Sequence, residues 1–313
     1  MKLAAVVPNY NSAGLVLRCV EALQRQRVAA GDVLEIVVVD DGSTDGSAQR
    51  LADGLGGNAR LVALPANLGR ATARNRGAEA TDADLLLFVD SDCIAEDDGL
   101  AAAIVDEARR GAQLVYGEVV APGDGFWDRL QRTVFAARRR AFAAGDGAAY
   151  TTQCVAVAAP LFRRVGGFDA AFGYGFEDRD LFLRLLDAGA TAAFAPQARV
   201  RHEDRLGLAS VARKMEDAGH SGSRLFAARH PGAYARTPFA RLDAARRPWL
   251  RVVDAALGGL AAHIARADAG WLEWRWLPFA LRAFCARAIY GLAYLRGTVR
   301  RQREDAASSR SMR

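Results

Sequence analysis

An α/β fold around a parallel sheet is predicted by two features of this chain. Short runs rich in valine, isoleucine and leucine, such as Ile36-Val37-Val38-Val39 and Leu85-Leu86-Leu87-Phe88-Val89, alternate with helical stretches over the first 95 residues. Apolar runs of this length read as strands buried on both faces, and strands separated by helices imply parallel, right-handed crossovers. Acidic clusters also stand where strands end: Asp40-Asp41, Asp90-Ser91-Asp92, Glu177-Asp178 and His202-Glu203-Asp204. A carboxylate just past the carboxyl edge of a parallel sheet lies where open α/β folds bind ligands. Burying it costs desolvation unless a cation or a polar ligand meets it. The arrangement suits a nucleotide and a divalent cation.

Each element follows from its local pattern. Leu3–Val7 reads as a strand closed by the turn Pro8-Asn9-Tyr10-Asn11, after which Ser12 caps a helix to about Gln26 with an apolar stripe of Leu15, Val16, Cys19, Val20 and Leu23. Strand Leu34–Val39 leads through Asp40-Asp41-Gly42-Ser43-Thr44-Asp45 to a helix over 46–54, and strand Ala59–Leu64 leads through Asn67-Leu68-Gly69 to a helix ending near Ala80. Strand Asp84–Val89 delivers Asp90-Ser91-Asp92. The spacing then predicts a helix over 98–110, a strand over Gln113–Val120, a basic helix over 126–144 and a loop over 146–153. Val155–Ala158 reads as a strand, Pro160–Val165 and Asp178–Leu186 as helices, and Ala192–Val200 as a strand whose Pro196 places it at an edge or a bulge. From 206 onward the signals are helical. The expected organisation is a catalytic domain over 1–205, with halves 1–95 and 96–205, followed by a basic helical region over 206–313.

Composition narrows the classes. A hydrophobic fraction of 51% with 25% charged residues is that of a globular protein. The formal charge of +6 does not argue for nucleic acid: Lys2 and Lys214 are the only lysines, and residues 241–313 alone carry 14 arginines against 6 acids. Residues 1–240 hold 28 basic and 30 acidic groups, so the positive field belongs to the tail. Four scattered cysteines (Cys19, Cys93, Cys154, Cys285) form no CxxC pair, which disfavours a disulfide framework or a zinc site and fits a reducing compartment. Met1-Lys2-Leu3 runs into a strand without a cleavable signal's layout, and no charge-free apolar run reaches the roughly 18 residues of a spanning helix. The expected location is the cytoplasm, with the cytoplasmic face of a membrane as the peripheral variant.

Val7-Pro8-Asn9-Tyr10-Asn11, Val39 to Asp45, Asn67-Leu68-Gly69, Ala73-Arg74-Asn75-Arg76-Gly77, Asp90-Ser91-Asp92, Gly166-Gly167-Phe168-Asp169 and Glu177-Asp178 occur in one order and spacing. Together these blocks, spread over residues 3–205, resemble the family 2 glycosyltransferases. The resemblance implies the GT-A fold, a Rossmann-like mixed sheet flanked by helices, here with a mainly helical C-terminal extension. It also implies an inverting, metal-dependent transfer of a sugar from a nucleotide-diphosphate sugar, a UDP-sugar being favoured, to a saccharide or lipid-linked hydroxyl in envelope or exopolysaccharide assembly. Two other classes stay open: a catalytically silent binding subunit on the same fold, and a sugar nucleotidyltransferase. The second usually needs a glycine-rich phosphate loop where this chain has Pro8-Asn9-Tyr10-Asn11-Ser12.

Residue roles combine that resemblance with local chemistry. A carboxylate after the second strand can accept hydrogen bonds from a uracil imide or from ribose hydroxyls, and the resemblance selects Asp41 of the Asp40-Asp41 pair for the base. Asp41, Ser43, Thr44 and Asp45 are equally good helix caps. Pro8, Asn9, Tyr10, Asn67 and Gly69 complete the nucleotide's expected surroundings. Arg74, four residues after Arg70 in the first turns of a helix, opposes the macrodipole, so an anionic ligand is expected there and Arg74 is the candidate for the nucleotide's phosphate or ribose; a solvated basic stripe is the plainer alternative. Asp90-Ser91-Asp92 is the metal candidate for Mn²⁺ or Mg²⁺, with Asp92 on the ion and Asp90 on the ribose or a metal-bound water. By resemblance His202 adds a nitrogen ligand, which favours Mn²⁺. Asp178 is the expected general base, with Glu177 orienting the acceptor, although acids are also favoured at a helix start by the dipole alone. Trp249, Trp271, Trp274 and Trp276 among the tail's arginines suit anionic lipid headgroups, packing on the chain's own domain or a homodimer contact.

Overall fold

The computed structural model describes residues 1–204, 206–267 and 270–311. Eight strands and seven helices make the sheet region: β1 (Lys2–Asn9), α1 (Ala13–Gln24), β2 (Val33–Asp40), α2 (Ser47–Gly54), β3 (Ala59–Ala63), α3 (Arg70–Glu79), β4 (Leu85–Val89), β5 (Cys93–Ala95), α4 (Leu100–Arg109), β6 (Leu114–Val120), α5 (Phe126–Ala143), β7 (Cys154–Ala158), α6 (Ala159–Arg164), α7 (Glu177–Asp187) and β8 (Ala192–His202). The strand order is β3-β2-β1-β4-β7-β6-β8-β5. β1 pairs in parallel with both β2 and β4, β7 runs antiparallel between β4 and β6, and β6 and β8 are parallel again. The sheet is therefore mixed, with a parallel half at the N-terminal end of the chain.

Alternation along the strands explains the uninterrupted apolar runs. On β1, Leu3, Ala5 and Val7 enter one core with Val16, Cys19 and Leu23 of α1 and Leu100, Ile104 and Val105 of α4. Ala4 and Val6 enter the opposite core with Ala71, Ala73 and Ala78 of α3, Leu161 and Phe162 of α6, and Leu181, Phe182 and Leu185 of α7. Both faces are covered by helices, so neither side of a strand can be polar. Gly77 lets α3 lie close on β1, since a Cβ there would sit 2.3 Å from Val6 Cγ1.

Three local outcomes refine or depart from the sequence pattern. Ser12 makes no side-chain cap; the Ala13 N–H is instead taken by Ser47 Oγ at 3.2 Å, from the helix after the next strand. Pro196 lies at a bulge, one of the two outcomes expected: the register of β8 with β6 jumps from Ala195 opposite Gly117 to Arg199 opposite Glu118, while β5 pairs only with Val200–His202. The intervening residues bring the Ala198 carbonyl against Gly117, where a Cβ would approach to 2.7 Å. Third, β5 has no counterpart in the sequence reading. At three residues it is too short for any periodicity to show.

The chain divides into two compact units. The first comprises Met1–Gly123, Gln131–Ala170 and Leu181–Asp204; the second comprises Asp124–Leu130, Ala171–Asp180 and Arg205–Arg313. The second unit is helical, as the sequence predicts: α8 (Leu208–Asp217) runs through a π-helical turn, Ala218–Gly222, into α9 (Ser223–Arg229), followed by α10 (Pro231–Ala235), α11 (Leu250–Val253), α12 (Gly259–Arg266) and the long α13 (Phe279–Ser311). Close crossing by α13 is set by glycines: a Cβ on Gly219 would lie 2.2 Å from the Tyr294 carbonyl oxygen, and one on Gly297 would lie 2.0 Å from that of Glu216. Phe126 and Leu130 pack in this unit with Leu208, Leu272, Ala286 and Ile289.

Phe88, fully buried on β4, touches the rings of Phe162 at 5.3 Å and Phe168 at 5.2 Å. Phe88→Ala is expected to cost about 3–5 kcal/mol by leaving a cavity under the strand that delivers Asp90. The shift of the urea midpoint, with unchanged slope, checks it.

Candidate functional site

The parallel register gathers Asp40, Asp41 and Asp90 at one edge, whereas Glu177 and Asp178, expected at a strand end, follow no strand and open α7 instead. Asn9 is paired opposite Asp40, and Val6 opposite Phe88, so β1, β2 and β4 end on the same side. The chain proceeds from β1 outward to β3, then returns to β4 on β1's other flank. That reversal is the switch point where open α/β sheets bind ligands.

Asp40 and Asp41 are both buried and both engaged by the chain's own donors. Asn9 Nδ2 donates to Asp40 at 2.6 Å, and Ser43 donates to it from its backbone N–H at 3.0 Å and its hydroxyl at 2.6 Å. Asp41 accepts from the backbone N–H of Leu68 at 2.8 Å and of Gly69 at 2.9 Å. The expectation that these acids need a ligand to repay their desolvation is therefore incomplete: they fasten the loops after β1, β2 and β3 to one another. Gly42 makes that junction possible. It has φ of +66°, and a Cβ on it would lie 2.2 Å from the Ala66 carbonyl carbon. Burial raises the Asp41 carboxyl above its ordinary range, and Asp40 adds to this, while the two backbone N–H groups oppose it. Each carboxylate oxygen has two acceptor directions, so ligand donors can still be received there. Pro8 is half-buried, whereas Tyr10 and Asn67 are exposed on the surrounding turns and Gly69 is half-buried.

Arg74 turns inward from α3 and is only 2% exposed, while Arg70 stays in solvent. Its guanidinium donates to Asp90 Oδ1 at 2.7 Å and lies 5.3 Å from the centre of the Phe168 ring. Arg74 is thus the cation beneath Asp90, with Ser91 half-buried between the two acids. Asn75 ties the same helix to the Gly167-Phe168 turn, donating to the Phe168 carbonyl at 2.7 Å and accepting its N–H at 2.9 Å.

Asp92 meets His202 because of β5. Cys93 pairs directly with His202 across β5 and β8, and Glu203 N–H donates to the Asp92 carbonyl at 2.7 Å. His202 Nε2 lies 3.4 Å from Asp92 Oδ2, and its Nδ1 lies 2.6 Å from Gln131 Oε1. The amide oxygen accepts only, so Nδ1 carries a hydrogen and Nε2 offers its lone pair toward the carboxylate. Two acceptors facing each other need a proton or a cation between them. Burial works against charge on His202, but the hydrogen bond to Asp92 and the charges of Asp92, Asp204 and Asp90 raise its pKa above 6.5. The donor set fits a hard divalent ion: one carboxylate and one imidazole oriented from behind by an amide. Asp92, Cys93 and His202 offer ligand atoms within 4.8 Å of one another. Burial, Asp92 and Asp90 push the Cys93 thiol well above its ordinary pKa, so it stays protonated and donates to Asp92 Oδ1 at 3.6 Å, leaving the carboxylate and imidazole as the groups that could hold an ion. Gln131 escaped the sequence reading, since a glutamine inside a basic helix carries no pattern of its own.

Glu177 and Asp178 open α7, in the second unit, in a first turn that also holds Asp180. Asp178 is half-buried and accepts from the Arg179 N–H at 2.9 Å; Glu177 is buried. The residue before them, Phe176, has φ of +70°, which is costly for a bulky side chain. Its ring is held by Phe226 at 5.0 Å, Phe239 at 5.9 Å and Tyr234 at 6.0 Å. Asp180, fully buried, accepts from Arg229 and His230, each at 3.0 Å. Gly222 lies directly on the Gly175 carbonyl oxygen, which a Cβ would approach to 2.0 Å. A strained residue, its ring cage and a buried ion cluster therefore fix the backbone from which Asp178 projects.

A mixed sheet covered by helices, with acids gathered at its switch point, defines a GT-A-type α/β protein. The chain belongs to glycosyl transferase family 2: residues 4–165, just over half of it, match that family. The pre-mycofactocin glycosyltransferase of Mycobacterium tuberculosis is 29% identical over 270 residues, 83% of this chain and 54% of that protein. The N-acetylglucosaminyl-diphospho-decaprenol L-rhamnosyltransferase of the same organism is 27% identical over 64% of this chain and 73% of its own length. The chain spans about half the length of the first of these relatives. Among solved structures, a Pyrobaculum calidifontis mannosyltransferase in complex with GDP-Man and Mn²⁺ shares the fold, with a TM-score of 0.59 at 20% identity over 96% of this chain and 86% of that one.

Two outcomes follow. In the metal-free protein, His202 is expected to titrate above 6.5, and its contribution to stability is full below 6.5 and lost as pH rises through the folded value. Asp92→Asn should move that titration downward, as read by NMR of the ring protons. Gly222→Ala should lower stability by about 1–3 kcal/mol, because its methyl meets a carbonyl oxygen that cannot rotate away; thermal melting checks it.

Proposed function

We propose that this chain transfers a sugar from a nucleotide-diphosphate sugar, a UDP-sugar being favoured, to the hydroxyl of a saccharide or lipid-linked acceptor, with inversion at the anomeric carbon. The observation that carries the reading is the Asp92–His202 pair, oriented by Gln131 on the sheet edge that also holds Asp40, Asp41 and Asp90. Family membership supports it, as does a structural neighbour whose complex contains GDP-Man and Mn²⁺. Relatives named for decaprenol-linked rhamnosyl transfer, succinoglycan biosynthesis and teichoic acid polymerisation support an envelope polysaccharide as the product.

Each residue has a task that its chemistry permits. Asp41, Asn9 and the turns at Pro8-Asn9-Tyr10 and Asn67-Leu68-Gly69 receive the base and ribose; Asp90, held by Arg74, accepts from ribose hydroxyls. Asp92 and His202 would hold Mn²⁺ or Mg²⁺, which when bound neutralises a departing diphosphate as a Lewis acid. Asp178 takes the acceptor's proton as its oxygen attacks the anomeric carbon and the bond to the diphosphate breaks, with Glu177 orienting the acceptor. A single displacement of this kind inverts the configuration, as in one-step glycoside chemistry with the acceptor in place of water. Among the described residues no helix is long and apolar enough to cross a membrane.

Turnover of UDP-, GDP- and dTDP-sugars in Mn²⁺ tests the reading. Asp92→Ala is expected to abolish it, and Asp178→Asn to lower kcat by about 10²–10⁴ with donor-induced thermal stabilisation retained. The anomeric coupling constant of the product reports inversion. Donor-dependent stabilisation without turnover of any donor would instead identify a silent binding subunit.

A further inference from the structure

Residues 245–291 of the helical unit bury Leu250, Leu272 and Ile289 but leave several other large apolar side chains in solvent. Trp249 is 60% exposed, Val252 72%, Leu260 59%, Trp276 74% and Phe284 69%. The buried positions of α12 and of the first turns of α13 include the small Ala265, Ala283 and Ala286, with Ile289 beyond them. Singly scattered surface hydrophobics do not gather at this density. Trp274 and Trp276 stack at 5.6 Å, joining two aromatic bodies on the exposed connection before α13.

The charges on this stretch point to the occupant. Among its described residues the exposed arginines are Arg246, Arg247, Arg251, Arg266, Arg275 and Arg287, against one exposed acid, Glu273. Asp254, the acid within the helical run 250–266, is buried 3.8 Å from Arg296. Two copies of such a face would bring arginine against arginine, which disfavours a symmetric dimer. Tryptophan with arginine around aliphatic side chains is instead the chemistry of the bilayer boundary, where rings sit at headgroup level and cations meet anionic lipid. No described helix can span a bilayer, so insertion stops at that boundary.

We propose that this stretch, through the exposed Val252, Leu260, Trp276 and Phe284, seats the protein on an anionic phospholipid surface. The inference is independent of the glycosyl-transfer reading, since it uses none of the residues at the sheet edge. The test is flotation of the whole chain with phosphatidylcholine vesicles, with and without phosphatidylglycerol. Binding is expected only with the anionic lipid, falling at least tenfold in high salt and about fivefold for each of Arg251→Gln and Arg266→Gln. Leu260→Glu and Trp276→Ser should each abolish flotation while leaving the melting temperature and donor-induced stabilisation intact. Quenching of tryptophan fluorescence by brominated lipid reads the same contact in the unmodified protein. Failure of the folded chain to float with anionic vesicles overturns the proposal. So does a solution dimer that Leu260→Glu dissociates, which would assign the face to a second copy.

Discussion

A carboxylate removed from water must be met by a donor or a cation, and that requirement organises this molecule. Asp40 and Asp41 draw three loops together at the sheet edge, through Asn9, Ser43, Leu68 and Gly69. Asp90 holds Arg74 under the next strand end. In the helical unit Asp180 gathers Arg229 and His230, and Asp243 accepts from Tyr234 at 2.9 Å and from Arg301 at 3.0 Å. These are charge-assisted bonds in places of low dielectric, where losing one partner leaves the other charge uncompensated.

Asp92 stands apart from the others. The group facing it is an imidazole nitrogen whose hydrogen has been assigned to the far side of the ring by Gln131, so the near side repels the carboxylate unless something positive intervenes. The fold enforces this opposition. Pairing of Cys93 with His202 fixes the two side chains, and the Glu203 N–H to Asp92 carbonyl bond prevents the strand ends from parting. The fold thus holds the carboxylate and the imidazole 3.4 Å apart across the strand ends.

How much of this could be read beforehand depends on range. The runs Ile36–Val39 and Leu85–Val89 declared a sheet buried on both sides, and both cores confirm why no polar alternation is present. The acids at the strand ends were legible as a group, because parallel strands must deliver their carboxyl ends to one edge. What they touch was not. The Ser47 hydroxyl at the start of α1, the inward turn of Arg74 and the contact of Gln131 with His202 all join positions far apart in the chain. β5 was invisible for a simpler reason: three residues carry no period. Pro196 announced an irregularity correctly but could not say whether it was an edge or a bulge. Residues 124–130 and 171–180 carry no local sign that they pack with the C-terminal helices.

That last arrangement bears on how such a chain can diversify. Phe176 keeps its unfavourable backbone because Phe226, Tyr234 and Phe239 enclose its ring, and Gly222 leaves room for the Gly175 carbonyl. These partners are separated from it by some fifty residues of chain. Recombination at a single junction near residue 205 would therefore supply a foreign set of helices to a phenylalanine selected for the old one. Exchange of the helical region between relatives is expected to succeed only as a three-part graft, with 124–130 and 171–180 travelling alongside it.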